Sequence, residues 1–271
     1  MTEHTRLGTF AFRRQRGSRV RACVALLLST LLPGLAAAPA QALLPPPTPL
    51  RVIVQQLNPN DPGPAALVSL LGGTVDLQLP IVTGFAATIP STGLGDLAAH
   101  PGVRVVSGDD VVVPASVATG TPSPSVHRDV IGSSAANAQG LTGAGTTVAV
   151  IDSGIAAVAA LADNVVPVAQ AGGGTQPCVN LSTEAGCDDT FGHGTFVAGM
   201  VHSVAPDADL LAVKLSGRDG VSNVSTVLAA LQWVITNRST YGIDIVNLSL
   251  RTDSSLSYRL DPMNLAVEQV W

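Results

Sequence analysis

The run Val148-Ala149-Val150-Ile151 closes on Asp152 and turns at once through Ser153 and Gly154. A stretch of small and β-branched residues without polar alternation predicts a strand buried on both faces. Such strands belong to parallel sheets covered by helices on each side. The rest of the C-terminal half keeps that pattern. Residues 210–215 and 243–249 form two more strand-like runs, separated by helical spacing over 221–237 and followed by a further helix from 262. Alternating strands and helices predict an α/β domain with a doubly wound parallel sheet over 128–271. With 46% hydrophobic but only 3% aromatic residues, its core must be built from Ala, Val, Leu and Ile.

A smaller unit precedes it. Residues 51–57 read as a strand, 64–71 as a helix stopped by Gly72-Gly73, 74–79 and 84–89 as strands, 94–99 as a short helix ended by Pro101-Gly102, and 103–106 as a last strand. That order is the split βαβ or ferredoxin-like plan, here placed at 50–113. A domain of this length is marginally stable alone. Residues 114–127, rich in Ala, Thr, Ser and Pro, read as an exposed linker where proteolysis concentrates.

The first 42 residues read as a cleaved export signal. Six of the 14 basic residues lie in the first 21 positions, followed by the apolar run 22–35 and Ala40-Gln41-Ala42. The run is too short for a stable membrane anchor. Without residues 1–21 the chain has 8 basic and 18 acidic residues and one lysine, Lys214, which argues against a nucleic-acid partner. In an exported chain, Cys178 and Cys187 are expected to close a short disulfide loop. Neither has further Cys or His neighbours for a metal site, and no cofactor or metal is expected.

The chemistry gathers at two places. Asp152 ends a predicted parallel strand, where open α/β sheets present their sites. His193 opens the small-residue segment Gly192-His193-Gly194-Thr195-Phe196-Val197-Ala198-Gly199, 41 positions later. A carboxylate that holds one imidazole nitrogen, with the other free to act as a base, is two thirds of a Ser-His-Asp triad. The remaining histidines carry no such context.

These residues resemble the subtilisin-like (S8) serine peptidases. Val148 to Gly154 resembles that family's aspartate motif and Gly192 to Gly199 its histidine motif, with Thr142-Gly143-Ala144-Gly145 and Val204-Ala205-Pro206-Asp207-Ala208 also in place. The 50–113 unit resembles the family's inhibitory propeptide (inhibitor I9 type), most clearly in Gly84-Phe85-Ala86-Ala87-Thr88-Ile89-Pro90 and His100-Pro101-Gly102-Val103. The resemblance implies a secreted zymogen, acting as a monomer on protein or peptide substrates and inhibited by its own propeptide. It implies Asp152 and His193 as catalytic residues, a maturation site in the linker, and Leu215-Ser216-Gly217 with Leu248-Ser249-Leu250 as segments that pair with substrate backbone. Arg251 stands where the family pattern has glycine. No serine after His193 has the family's nucleophile context and the chain stops at Trp271. This chain is therefore expected to be inactive by itself. The alternative expectation is a non-catalytic secreted inhibitor acting through residues 50–113.

Overall fold

The computed structural model describes residues 47–115 and 127–271. The expected export signal and linker residues 116–126 lie outside them. The first unit runs β1 (Pro49–Gln56), α1 (Gly63–Leu70), β2 (Thr74–Leu79), β3 (Gly84–Pro90), α2 (Leu94–Ala98) and β4 (Val103–Gly108). Its antiparallel sheet has the order β2-β3-β1-β4, the split βαβ arrangement.

Successive residues of a strand face opposite sides of a sheet, and here both sides are covered. Val52 and Val54 join Phe85, Ala87 and Ile89 against Val68 of α1 and Leu97 of α2. Ile53 and Ala86 point the other way, into the core of the second unit.

In that unit α3 (His127–Val130) and α4 (Ser133–Ala138) lead to β6 (Thr147–Asp152). A small hairpin, β7 (Val168–Ala169) and β8 (Thr175–Gln176), precedes β9 (Cys178–Asn180). Then come α5 (His193–Val204), β10 (Asp209–Lys214), β11 (Ser222–Asn223), α6 (Val224–Tyr241), β12 (Ile243–Leu248), β13 (Leu250–Thr252) and α7 (Pro262–Val270). The main sheet has the order β12-β6-β10-β9, and every pairing in it is parallel. All six residues of β6 are buried, as its unbroken apolar run requires. Val148 and Val150 pack with Val197 and Ala198 of α5, while Ala149 and Ile151 pack with Val227, Leu228 and Leu231 of α6. The result is a helix–sheet–helix sandwich with Asp152 at the C-terminal end of its central region.

The two units are joined by β5 (Val111–Pro114), the middle strand of a three-stranded antiparallel sheet between β11 and β13. Val112 stands opposite Ser222 and Thr252, Val113 opposite Arg251, and Pro114 opposite Leu250. The Ala115 N–H continues the ladder to the Ser249 carbonyl at 2.8 Å.

Just upstream, Asp109 supplies what α6 lacks. The helix's own N-cap residue, Asn223, makes no capping side-chain bond. Asp109 Oδ1 instead accepts the Ser225 N–H at 2.8 Å, and Oδ2 accepts both the Ser225 hydroxyl at 2.8 Å and Arg51 Nη2 at 2.8 Å. A carboxylate here satisfies an otherwise unpaired N–H and meets the positive end of the helix dipole.

Asp109→Ala is expected to cost about 2 kcal/mol, because it removes a cap and leaves buried donors unpaired. Arg51→Ala should cost under about 1 kcal/mol, since that side chain is half exposed. Thermal unfolding of the two variants checks the ranking; equal losses would contradict it.

Candidate active site

Asp152 and His193 meet across the C-terminal edge of the sheet. His193 Nδ1 lies 2.8 Å from Asp152 Oδ1 and 2.9 Å from Oδ2. A carboxylate only accepts, so the imidazole carries a proton on Nδ1, which leaves Nε2 as the ring nitrogen not engaged by Asp152. Both side chains are shielded, at 8% and 1% exposure. Asp152 is steadied by the Ser153 N–H on Oδ1 at 2.7 Å, and its carbonyl accepts the Leu215 N–H. Among the described residues, no hydroxyl is hydrogen-bonded to His193 Nε2.

Two glycines let the helix come this close. A Cβ on Gly194 would collide with the Gly154 carbonyl and press on Asp152 Cβ, and Gly154 itself has φ +115°, a conformation open to glycine and strained for other residues. The Ser153 hydroxyl then accepts the Gly194 N–H at 2.9 Å.

Of the residues expected to pair with an extended backbone, Leu250 stands opposite Pro114 of β5 and Ser249 accepts from Ala115. Leu248 belongs to β12 opposite Ile151. Leu215, Ser216 and Gly217 are buried at the end of β10 and do not pair with β5; Ser222 and Asn223 hold that flank. Cys178 and Cys187 are joined in a disulfide. It spans the loop that runs from β9 towards α5.

Residues 143–269 match the subtilase family, Peptidase S8. Minor extracellular protease Epr of Bacillus subtilis is 35% identical over 139 residues, covering 48% of this chain and 19% of that protein. Subtilisin E of the same species is 31% identical over 199 residues, covering 68% of this chain and 46% of its own length. The chain therefore spans less than half the length of these relatives. Among solved structures, fervidolysin from Fervidobacterium pennivorans superposes with a TM-score of 0.58 at 18% identity, over 83% of this chain and 38% of that one. The epidermin leader peptide processing serine protease of Staphylococcus aureus gives 0.58 at 16% identity, over 82% and 58%. These two likenesses speak for the subtilisin-like fold.

The subtilase segment holds further ionic groups that sequence reasoning passed over. Asp189, 9% exposed, accepts the Gly192 N–H at 2.7 Å and the Phe191 N–H at 3.2 Å on Oδ1. On Oδ2 it accepts the Thr195 N–H at 2.8 Å and the Thr195 hydroxyl at 2.6 Å. Burial pushes its carboxyl up, but the Thr195 hydroxyl, the Gly192 and Thr195 N–H groups and the Ser153 hydroxyl together hold it below the usual carboxylate value. Lys214, expected only as part of a strand, has its side chain 1% exposed. Its ammonium donates to the Asp188 carbonyl and to Glu184 Oε2 at 3.3 Å. Glu184 in turn accepts the Arg218 N–H at 2.9 Å and the Thr190 hydroxyl at 2.7 Å. The available sequence signals were a carboxylate four residues before His193 and a lone lysine inside an otherwise apolar strand-like run.

A carboxyl with a lowered folded-state pKa stabilises the fold above its unfolded pKa, and that contribution is lost as pH falls through the folded value. Asp189→Asn should therefore be less stable than wild type at neutral pH. The gap should close as pH drops below about 4. Denaturant midpoints at pH 7 and in that acid range check this; a gap that widens on acidification would contradict it.

Proposed function

We propose that this chain is the N-terminal part of a secreted serine endopeptidase, made as a zymogen with residues 50–113 as its inhibitory propeptide. The observation that carries the reading is the contact of both Asp152 oxygens with His193 Nδ1 at the C-terminal end of a parallel sheet. Asp152 fixes the tautomer and stabilises the imidazolium formed during reaction. His193 Nε2 takes the proton from a serine hydroxyl and passes it to the departing amine. The serine and the oxyanion donors would be supplied by the part of the protein corresponding to the unmatched length of its relatives. Without them, residues 1–271 alone are expected to hydrolyse nothing above background.

The placement of β5 supports the zymogen reading. A peptide substrate binds such a cleft by adding a strand, with main-chain bonds giving affinity and pockets giving preference. Here the chain's own Val111–Pro114 fills the slot between β11 and β13. Pro114 and Ala115 reach the level of Leu250 and Ser249, two residues and one residue past the end of β12. Ala115 thus bonds to Ser249, the residue directly after Leu248, which stands opposite Ile151, the neighbour of Asp152. Maturation is accordingly assigned to the bond after Ala115. Export rests on the basic and apolar N-terminal pattern and on relatives such as the extracellular protease Epr. Substrates are proteins or peptides and the protein acts as a monomer.

A fluorophosphonate should label the full-length gene product, and His193→Ala should abolish labelling. No labelling of the wild type, or equal labelling of the variant, would defeat the proposal. N-terminal sequencing of the matured enzyme should begin at Ser116; a start several residues downstream would refute the assigned bond.

A further inference from the structure

Asp152 is one of two buried carboxylates that reach the segment around His193. Asp189 touches neither the imidazole nor Asp152, yet its contacts bracket His193 in the chain: Oδ1 takes the N–H of residue 192 and Oδ2 takes the N–H of residue 195. Ser153 takes the N–H of residue 194. An ordinary helix cap satisfies one or two N–H groups from the N-cap position. Here the N-cap, Gly192, has no side chain, and the carboxylate comes from three residues upstream and engages both oxygens.

The Thr195 hydroxyl extends the link. It donates to Asp189 and accepts the Ala156 N–H at 2.9 Å, so it ties α5 to the turn that follows Asp152. Asp189 is itself held from behind. The disulfide ends two residues before it at Cys187, and the buried Lys214 ammonium grips the Asp188 carbonyl. Lys214 stands opposite Asp152 in the sheet. The sheet end that fixes the catalytic carboxylate therefore also fixes the loop that fixes the histidine.

We infer that Asp189 is a positioning residue for His193, locking the backbone on both sides of the imidazole while Lys214 and the disulfide lock the turn that carries Asp189. A general base displaced by about 1 Å can lose on the order of a hundredfold in rate, so such a lock matters beyond stability. The inference rests on the proposed role of His193, but its readout is the imidazole and needs no nucleophile. Failure of serine labelling and failure of this inference are thus separate results.

The test is proton NMR of the 271-residue chain with ¹⁵N-labelled histidine, read at the His193 Nδ1 proton that faces Asp152 and assigned with His193→Gln. In Asp189→Asn that proton is expected to lose its protection from exchange with water. A folded Asp189→Asn protein whose His193 Nδ1 proton keeps its chemical shift and its protection overturns the inference. If that variant does not fold, Thr195→Val decides. It removes one donor to Asp189 and should weaken the same protection, with Thr195→Ser restoring it. An unaltered Nδ1 proton in Thr195→Val would equally overturn the inference.

Discussion

The site depends on one close contact, the seating of helix α5 on the turn after Asp152. That turn leaves β6 through Ser153 and Gly154, and the helix arrives through Gly192, His193 and Gly194. A side chain at 194 would have no room against the Gly154 carbonyl. Because the contact is backbone to backbone, the imidazole reaches both Asp152 oxygens at hydrogen-bond distance without stretching. The surrounding polar groups keep it closed: Ser153 on the Gly194 N–H, Thr195 on the Ala156 N–H, and Asp189 on the N–H groups of the first turn. Parallel pairing of β6 with β10 and β12 then brings the Lys214 and Leu215 end and the Leu248 and Ser249 end beside the same carboxylate.

A second constraint joins the two units. The sheet of the first unit has two apolar faces, and its own helices can cover only one. Ile53 and Ala86 are buried because α6 and α7 cover the other. Full burial of one such aliphatic side chain contributes about 1.5–3 kcal/mol. Several such residues, together with the Asp109 cap and the β5 ladder, make the first unit part of the structure of the second. The same arrangement puts the chain's own backbone between β11 and β13.

Much of this was legible in the sequence because the signals were local. The unbroken apolar run 148–151 reads as a strand covered on both sides, and the strand, helix, strand, strand, helix, strand order of 50–113 is the order of elements in the fold. What was not legible depends on partners distant in sequence. Ile53 and Val54 look alike in a β-branched run, and only α6 distinguishes their faces. Ser222 and Asn223 read as the start of a helix, but pairing with β5 draws them into a strand and the helix begins at Val224. Pro114 reads as linker by composition, yet Leu250 gives it a place in a sheet. Lys214 and Asp189 carry no motif; their positions follow from the sheet register and from a disulfide-closed loop, which composition does not specify.

The central claim is that Asp152 and His193 form one hydrogen-bonded pair with the proton on Nδ1. Its most direct test is the far-downfield proton NMR spectrum of the 271-residue chain. A single exchange-protected Nδ1 proton is predicted for His193, present in wild type and lost in Asp152→Asn. If that resonance is absent from the wild type, or survives unchanged in Asp152→Asn, the pair does not exist as described and the catalytic account falls with it.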